Sequence, residues 1–444
     1  MVALMLVVLG CGEDVTKAPV RLTGLSAAID DDVTTIVVVR WTQDAGSDAS
    51  WVTFGYDDVV LSSPPLAQEA GERSALLLGI PADTAVWYRV HAESGGTASV
   101  SEDSTTRTGL LPEQLTEPLV AIWSPDQASP EDYVFGVVDP DGGSSYSGVW
   151  WLFIANRDGR VVWYRSLTVW MSMFPRVARD GTHIVYSLHS SLDPVGDSSV
   201  IQRSTLDGRY LEEISAPGIG WAWDELDDGT LLYDRNKPVP AATLEEIAPD
   251  GSRRTVWDCA AWQAAQGDDD YENCYTNTVN WVAETDTVLW STYWGDYGLE
   301  LDRQSGEVLW HAGNLGGGLS FEPPEAVFDL QHYLNYTPEG TLLASTHIPD
   351  VKGEQRAREY IVDWDAGVLE EVWSFGAGVD SWAKYSGEAT RLVNGNTLIN
   401  YGTGGDIREV TADGETVWWL QYGDGCTLGH TQLVSDLYAL NAGR

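Results

Sequence analysis

The segment NRDGRVVW, residues 156–163, joins a polar turn with glycine to a short apolar strand that ends in tryptophan. The turn and strand recur along the chain as TLDGRYLEEI, APDGSRRTVW, RQSGEVLW, WDAGVLEEVW and TADGETVWW, the last at residues 411–419, and all of these but TLDGRYLEEI carry the late tryptophan. A glycine turn followed by a strand-forming run is typical of a β-hairpin. The six copies therefore predict a fold that is built from a repeated β unit.

A second turn pattern recurs earlier in the units, as ARDGTHIVYS, LDDGTLLYD, ETDTVLWS, TPEGTLLAS and VNGNTLINY. Two hairpins per unit supply four strands, which is the composition of one β-propeller blade. A β-helix or a pair of sandwiches would not produce these paired turns. We predict a six-bladed β-propeller over residues 111–444, closed by a strand near residues 427–440 or near residues 134–138.

The preceding residues, 18–110, follow a different pattern of short strands separated by Gly, Pro, Asp and Ser. Strands are predicted near residues 35–41, 51–56, 74–78 and 84–92, which suits a small β-sandwich. The run ALLLGIPADTAVWYRVHAES resembles a fibronectin type III module, and that resemblance implies a spacer or stalk. The predicted fold class is all-β throughout.

Residues 1–17 read as a lipoprotein-type signal and tether. An apolar run ends in VLGC at Cys11, which resembles a bacterial lipobox, and polar residues follow at once. The run is too short to span a bilayer as a helix. We expect export and lipidation of Cys11, which would hold the protein at the periplasmic or outer cell surface. The alternative is a buried N-terminal strand.

The charge balance is strongly acidic, with a formal net charge of -42. Binding of nucleic acid through its phosphates is therefore not expected. The simpler interpretation of so many carboxylates is solubility in a wet, salty environment.

The cysteines predict one disulfide and no metal site. Cys259 and Cys274 flank a short polar segment, and an oxidising compartment would let them pair, which leaves Cys426 over. No CxxC motif or Cys/His cluster is present. The acidic loops at residues 139–143 and 267–273 could hold calcium, but solvated turns are the favoured interpretation, and no cofactor is predicted.

Propeller geometry assigns a position to the histidine of QHYLNYTPEGTLLAST, residues 331–346. His332 begins an innermost strand, and the start of that strand meets the end of its antiparallel return at one mouth of the ring. The same reasoning brings to this mouth Met173, Phe174, His189, Trp221, Trp223, Asp234, Arg235, Tyr275, Asn277, Tyr293, Ser345, His347, Ser386, Glu388, Asn400 and Tyr401. Such an aromatic funnel suits flat or ring-bearing ligands.

The repeats of residues 115–422, among them RLVNGNTLINYG and the segment that begins YTNTVNWVAETDTVLWS, resemble the bacterial arylsulfotransferase family. That resemblance implies transfer of a sulfuryl group from an aryl sulfate to a phenol through a sulfated histidine, without an added cofactor. The family motif is a Gln-His pair eight residues before a turn glycine, and His332 stands at this spacing from Gly340. The resemblance thus implies that His332 is the nucleophile.

The chain departs from the family at the groups that would neutralise the sulfuryl oxygens. Tyr275 and Tyr293 stand where the resemblance implies a histidine and an arginine, whereas Asn277 is kept. The family's third histidine corresponds to Trp221 or Trp223. Tyrosines can donate hydrogen bonds or a proton but bring no positive charge.

Further candidate substrate-binding residues are Arg235, which could replace the missing cation, and His189, His347 and Tyr401. Two functions compete: sulfuryl transfer from an aryl sulfate to a phenol, and non-catalytic binding of an aromatic or glycan ligand on Trp and Tyr. Each candidate also has a purely structural alternative, since strand-end histidines and packed tyrosines are common.

Overall fold

The computed structural model divides into two compact units, Met1–Leu110 and Leu111–Arg444. It describes residues 18–142, 149–167, 173–188, 198–236, 242–267, 270–348, 351–423 and 425–442. Cys11 and the rest of the expected signal lie outside these ranges. Within these ranges no helix is both long and apolar enough to span a bilayer.

The first unit is a β-sandwich, as predicted. One sheet has the order β1-β2-β6, formed by β1 (Leu22–Ile29), β2 (Val37–Gln43) and β6 (Gly71–Leu77). The other has the order β4-β3-β7-β8, with β5 beside β3 and β9 beside β7: β3 (Ser47–Tyr56), β4 (Val59–Ser62), β5 (Leu66–Gln68), β7 (Ala85–Ser94), β8 (Thr97–Val100) and β9 (Ser104–Arg107). Trp41 of β2, Phe54 of β3 and Tyr88 of β7 are buried in one shared core, because alternate residues of a strand face the same side.

The second unit is a β-propeller, which confirms the predicted fold class. Its described strands form six sheets of four or five strands. Three of these sheets each consist of four consecutive strands, named here from the inner strand outward. The first contains β14 (Arg176–Val177), β15 (Ile184–Leu188), β16 (Val200–Ser204) and β17 (Tyr210–Ser215), and the second contains β18 (Ile219–Glu225), β19 (Leu231–Arg235), β20 (Thr243–Ile247) and β21 (Arg253–Asp258). The third contains β22 (Thr276–Val282), β23 (Thr287–Thr292), β24 (Tyr297–Asp302) and β25 (Val308–Gly313).

The other three sheets include the one that joins the two ends of the second unit. The fourth sheet contains, from the inner strand outward, β27 (His332–Tyr336), β28 (Leu342–Ile348), β29 (Val351–Asp363), β30 (Val368–Phe375) and β26 (Ser320–Glu322). The fifth contains β31 (Gly387–Arg391), β32 (Thr397–Tyr401), β33 (Asp406–Val410), β34 (Thr416–Gln421) and β10 (Leu119–Trp123). The sixth contains β35 (Thr427–Val434), β11 (Tyr133–Asp139), β12 (Trp151–Asn156) and β13 (Val161–Ser166). The late strand β35 pairs antiparallel with the early strand β11. The two strands predicted as alternatives for closing the ring are therefore partners in the same sheet.

Inner strands of different sheets contact one another. Such contacts join β14 to β35, β18 to β22, β22 to β27, and β27 to β31. These strands therefore surround a common axis, and cavities open where they begin and where they end.

The recurrent tryptophans explain why the sequence repeats. The indole Nε1 of Trp163 donates to the carbonyl of Leu206 at 2.7 Å, and that of Trp418 donates to the carbonyl of Arg157 at 2.8 Å. In both cases the acceptor lies in the glycine turn of the next sheet. The glycine of that turn has a positive φ, 84° at Gly159, which suits glycine because it has no Cβ. One repeated segment thus forms both a hairpin and the contact between neighbouring blades.

In the described part of the chain, helices are few and short. The α-helix α1 (Cys259–Ala265) follows β21, and Asp258 caps its first turn by accepting from the backbone N–H of Ala261 at 3.0 Å. The 3-10 helices are Tyr271–Cys274, Pro324–Ala326, Gly402–Gly404 and Ala439–Asn441.

The predicted disulfide joins Cys259 at the start of α1 to Cys274. This bond indicates a non-cytosolic protein, because thiols in the cytosol are kept reduced. Cys426 is a buried thiol whose Sγ donates to the carbonyl of Tyr422 at 3.4 Å.

The acidic loops are described only in part, since residue 143 and residues 268–269 lie outside the described ranges. Asp139 accepts from the backbone N–H of Asp141 at 3.3 Å, as in an ordinary turn. Among the residues that are described, no group of three His, Cys, Asp or Glu side chains could hold a metal ion.

Candidate functional site

A cavity of about 370 Å³ opens at the end of the propeller where the inner strands begin. Its wall consists of Met173, Phe174, Trp221, Tyr275, Thr276, Asn277, Tyr293, Trp294, His332, Tyr385 and Ser386. Eight of these residues were expected at this mouth: Met173, Phe174, Trp221, Tyr275, Asn277, Tyr293, His332 and Ser386. We refer to this space as the aromatic cavity.

His332 is the first residue of β27 and pairs with Ser345 on the return strand. The side chain is half-buried, but its Nε2 atom is shielded from solvent and has no hydrogen-bond partner among the described residues. Burial, with a smaller contribution from His347, lowers the pKa of His332 to about 3. The imidazole is therefore neutral at physiological pH and keeps a nitrogen lone pair.

The backbone on both sides of His332 has an unusual conformation. Leu330 and Tyr333 have φ values of 46° and 54°, a left-handed region that residues with a Cβ adopt at a cost. The register between β27 and β28 shifts between His332 and Asn335, as in a β-bulge. The irregular backbone therefore coincides with His332, which lines the cavity.

Polar contacts hold the segment before β27 in this conformation. The side-chain Nε2 of Gln331 donates to the carbonyls of Thr292 at 2.7 Å and Tyr297 at 3.0 Å. Asn277 donates from Nδ2 to the carbonyl of Gln331 at 2.6 Å. Asn277 and Gln331 thereby position the backbone that carries His332. The Gln-His pair thus has a structural reason: the glutamine anchors the strand, and the histidine faces the cavity.

Of the two tyrosines at the positions of the expected cationic helpers, Tyr293 lies beside the imidazole and Tyr275 lines the same cavity. The ring of Tyr293 is 5.1 Å from that of His332 in an edge-on arrangement. Its Oη donates to the carbonyl of Lys384 at 2.8 Å. The backbone N–H of Tyr293 bonds to the carbonyl of Tyr275 at 3.0 Å, so both tyrosines lie at the same level of the wall.

Trp221 reaches the wall because β18 bulges between Ile219 and Trp223. Asp234 of β19 supports this bulge by accepting from the backbone N–H of Ala222 at 2.8 Å, and its other oxygen has no partner among the described residues. Burial outweighs the nearby backbone N–H groups and raises the pKa of Asp234 to about 7. A Cβ at Gly220 would lie 1.9 Å from Oδ2 of Asp234, so glycine is required there.

Several predicted site residues lie outside this wall. Trp223 lines a cavity at the opposite end of the ring, and Arg235 pairs with Thr243 at the end of β19. The side-chain Nε2 of His347 is 2.7 Å from the carbonyl of Ala383, and Tyr401 is packed in a core cluster at 1% exposure. His189 lies outside the described residues.

No described residue that lines the aromatic cavity carries a formal charge. The expected substitute cation, Arg235, is not in the wall. Lys384 is exposed next to it, with its ammonium 4.8 Å from the ring centre of Tyr385. The wall as described is therefore suited to a neutral, ring-bearing ligand.

Sequence reasoning missed Thr276, Trp294 and Tyr385 as wall residues. Thr276 and Tyr385 are direct neighbours of predicted residues along the chain, and Trp294 follows Tyr293 and is 53% exposed. All three could have been proposed because each is next to a predicted site residue in the sequence. A strand with alternating side chains would place such neighbours on opposite faces, and the sequence did not indicate the bulges and turns that bring consecutive residues to the same cavity.

No model of a known protein family matches the chain. No curated protein sequence matches it either. Among solved structures, a protein of unknown function from Bacteroides caccae is similar with 16% identity and a TM-score of 0.44, over 66% of this chain and 94% of that one. A putative 6-phosphogluconolactonase from Bacteroides uniformis has 11% identity and a TM-score of 0.41, over 87% and 100% of the two chains.

A streptogramin B lyase structure is similar with 11% identity and a TM-score of 0.39, over 72% of this chain and 100% of that one. At these identities and scores, no activity is carried over from these proteins to this chain.

Proposed function

We propose that the aromatic cavity binds a neutral, planar aromatic ligand, such as a phenol, against its aromatic side chains. The observation that carries this proposal is Nε2 of His332, which has no hydrogen-bond partner among the described residues and stands in an aromatic wall. Burial lowers the pKa of His332, which favours the neutral imidazole. A phenol supplies a ring that can pack on this wall and a hydroxyl that can donate to the imidazole.

Charge and size favour a neutral ligand over an anion. An anion that enters the cavity loses hydration, and no cationic side chain lines the described wall to compensate. The volume of about 370 Å³ is at the small end of ligand cavities, which span about 300–1,000 Å³. One or two fused rings are therefore the expected size.

The test compares phenol with phenyl sulfate by isothermal titration calorimetry. We expect phenol to bind and the sulfate ester to bind more weakly. His332→Ala should weaken phenol binding by about three- to tenfold, the usual value of one hydrogen bond. His311→Ala is the matched control, because His311 lies on the outer strand β25 and should leave affinity unchanged. Equal affinities for wild type and both variants would contradict the proposal.

Sulfuryl transfer is the second candidate function, and the neutral state of His332 favours it. In this reaction an imidazole nitrogen would attack the sulfur of an aryl sulfate, an N–S bond would form, and the S–O bond to the ring would break. The aryl oxide would leave as phenolate and take a proton from solvent. A phenol oxygen would then attack the sulfur, break the N–S bond and lose its proton.

The tyrosines at the helper positions make slow transfer the expectation. Tyr293 directs its hydroxyl at a backbone carbonyl, and neither Tyr275 nor Tyr293 brings positive charge. Each missing contact to developing negative charge costs about 2.7–4 kcal/mol of transition-state stabilisation. Tyr275→His together with Tyr293→Arg should therefore raise the rate.

The assay for transfer follows release of 4-nitrophenol from 4-nitrophenyl sulfate and searches for the adduct by mass spectrometry. Transfer predicts a burst of nitrophenol and a sulfuryl adduct on His332, and His332→Ala should abolish both. Phenol binding without burst or adduct would leave binding as the function of the cavity.

We also propose that the protein is exported and anchored to a membrane through a lipidated Cys11. The disulfide between Cys259 and Cys274 supports export, since it needs an oxidising compartment. Cys11→Ser should move the protein from the detergent phase to the aqueous phase. Wild-type protein that partitions into water and retains Met1 would contradict the anchor.

A further inference from the structure

The propeller carries a second cavity system at the end where its inner strands finish. Two adjacent spaces of about 340 and 970 Å³ share part of their walls. The shared residues are Arg176, Arg179, Asp224, Tyr333, Thr390 and Arg391. We call the two spaces together the polar cavity.

An aromatic layer lies between the two cavities. Phe174, a wall residue of the aromatic cavity, stacks 6.5 Å from Tyr333 and 6.1 Å from His430. Tyr333 and His430 are 5.1 Å apart and line the polar cavity. The two cavities are thus separate sites on one axis, and the polar cavity contains none of the groups invoked for phenol binding.

His430, a wall residue of the polar cavity, is paired with the buried Glu388. The Nδ1 atom of His430 is 3.0 Å from Oε1 of Glu388, and the exposures of the two residues are 5% and 4%. A carboxylate only accepts, so Nδ1–H donates. The other carboxylate oxygen accepts from the backbone N–H of Thr431 at 3.2 Å.

This pairing fixes the imidazole of His430. Glu388 holds the proton on Nδ1, and in its neutral form the ring then presents the lone pair of Nε2. No described residue bonds to Nε2 of His430. His430 of β35 lines the polar cavity, and Nε2 of its neutral imidazole is a hydrogen-bond acceptor of fixed orientation.

Tyr333, whose ring is 5.1 Å from that of His430, supplies a hydroxyl to the same wall. Tyr333 is 9% exposed, lines both parts of the polar cavity, and makes no side-chain hydrogen bond with the described chain. Burial raises the pKa of Tyr333 to about 12, so the phenol stays protonated and can donate. Trp223 lies behind this wall at 1% exposure, with the Arg176 guanidinium 5.8 Å over its ring.

The charges of the polar cavity disfavour an anionic ligand. Its positive side chains are already paired: Arg176 and Arg179 bind Asp224, and Arg391 binds Glu359. The remaining charged wall residues are acidic: Glu131, Glu225, Glu284, Glu300 and Glu339. A neutral ligand avoids repulsion from these carboxylates.

We propose that the polar cavity is a second binding site, for a neutral hydroxyl-rich ring of the sugar or cyclic polyol class. A hydroxyl of the ligand would donate to Nε2 of His430, a ligand oxygen would accept from Tyr333, and the apolar face of the ring would pack on the apolar part of the wall, which includes Val393 and Leu433. A sugar ring supplies donors, acceptors and a flat C–H face together, which neither an inorganic anion nor a simple aromatic does.

The test measures binding of methyl β-glucoside, methyl β-galactoside and methyl α-mannoside by saturation-transfer NMR and titration. We expect at least one glycoside to bind in the millimolar range and gluconate and sulfate not to compete. Tyr333→Phe keeps the ring and removes only the hydroxyl, and should weaken binding by about three- to tenfold. His430→Gln is the second variant, and circular dichroism checks that both variants fold.

His332→Gln is the control that separates this site from the aromatic cavity, since it should weaken phenol binding and leave glycoside binding unchanged. The corresponding disaccharides distinguish a free sugar from a glycan chain end, because only a chain-end site gains affinity from a second ring. Absence of glycoside binding, preference for gluconate or sulfate, or glycoside affinity that is unchanged in both Tyr333→Phe and His430→Gln would overturn the proposal.

Discussion

The buried carboxyl of Asp234 should make the stability of this protein fall as pH rises, and Asp234→Asn should remove that fall. Burial holds the pKa of Asp234 at about 7, against 3.8 in an unfolded chain. Between these values the folded state keeps a proton that the unfolded state has lost. The free energy of unfolding therefore decreases as pH rises from about 4 to about 7.

The magnitude follows from the size of the pKa difference. A shift from 3.8 to about 7 is roughly three units, and each unit corresponds to about 1.36 kcal/mol, so the decrease is about 4 kcal/mol. Asparagine keeps an oxygen that can accept from Ala222 and does not ionise. Near pH 4 the variant and the wild type should be of similar stability, and the variant should be the more stable by about 4 kcal/mol at pH 8.

The assay is urea unfolding, followed by tryptophan fluorescence at a series of pH values and constant ionic strength. The difference between variant and wild type cancels all titrations that the two share. Asp286→Asn is a matched control of opposite sign, because the ion pair with Arg303 lowers the pKa of Asp286. That variant should be less stable than wild type by a constant amount above about pH 4, and the deficit should shrink as pH falls below 4. A stability difference for Asp234→Asn that is constant from pH 4 to pH 8 would refute the reasoning.

Three further predictions concern other parts of the chain. Phenol affinity should be constant between about pH 5 and pH 8, because a pKa of about 3 keeps His332 neutral throughout; a step near pH 6.5 in the titration would contradict this. Cys259→Ser with Cys274→Ser should lower the free energy of unfolding by about 3 kcal/mol, the value for a loop of this length, and reduction of wild type should match it. Arg157→Met should destabilise the propeller by about 3–5 kcal/mol in urea unfolding, because it leaves the fully buried Glu409 without its cation; an unchanged midpoint would contradict it.

Sequence determined the propeller because its signals are local. A polar turn that ends in glycine, followed by a strand that ends in tryptophan, forms the same hairpin wherever it occurs. The structure shows what each part does: Gly159 takes the positive φ of the turn, and Trp163 bonds to the turn of the next sheet. The disulfide was predictable for a similar reason, since Cys259 and Cys274 are near each other along the chain.

The starts of the inner strands were also within reach of sequence reasoning, which is why His332, Tyr275 and Tyr293 were expected at one mouth and do line one cavity. The position of each side chain along the propeller axis could not be predicted from the sequence. Trp221 and Trp223 are only two residues apart, but the register of β18 shifts between Ile219 and Trp223, and the two side chains line cavities at opposite ends of the ring.

Only the tertiary structure decided which polar groups are already satisfied. His347 is close to the carbonyl of Ala383, whereas Nε2 of His332 meets no partner among the described residues, and both are strand-end histidines in the sequence. Glu388 and His430 pair across 42 residues on different inner strands. Hydrogen bonds of this kind depend on ring closure and on bulges of the backbone, which bring distant residues together without any signature in the local pattern.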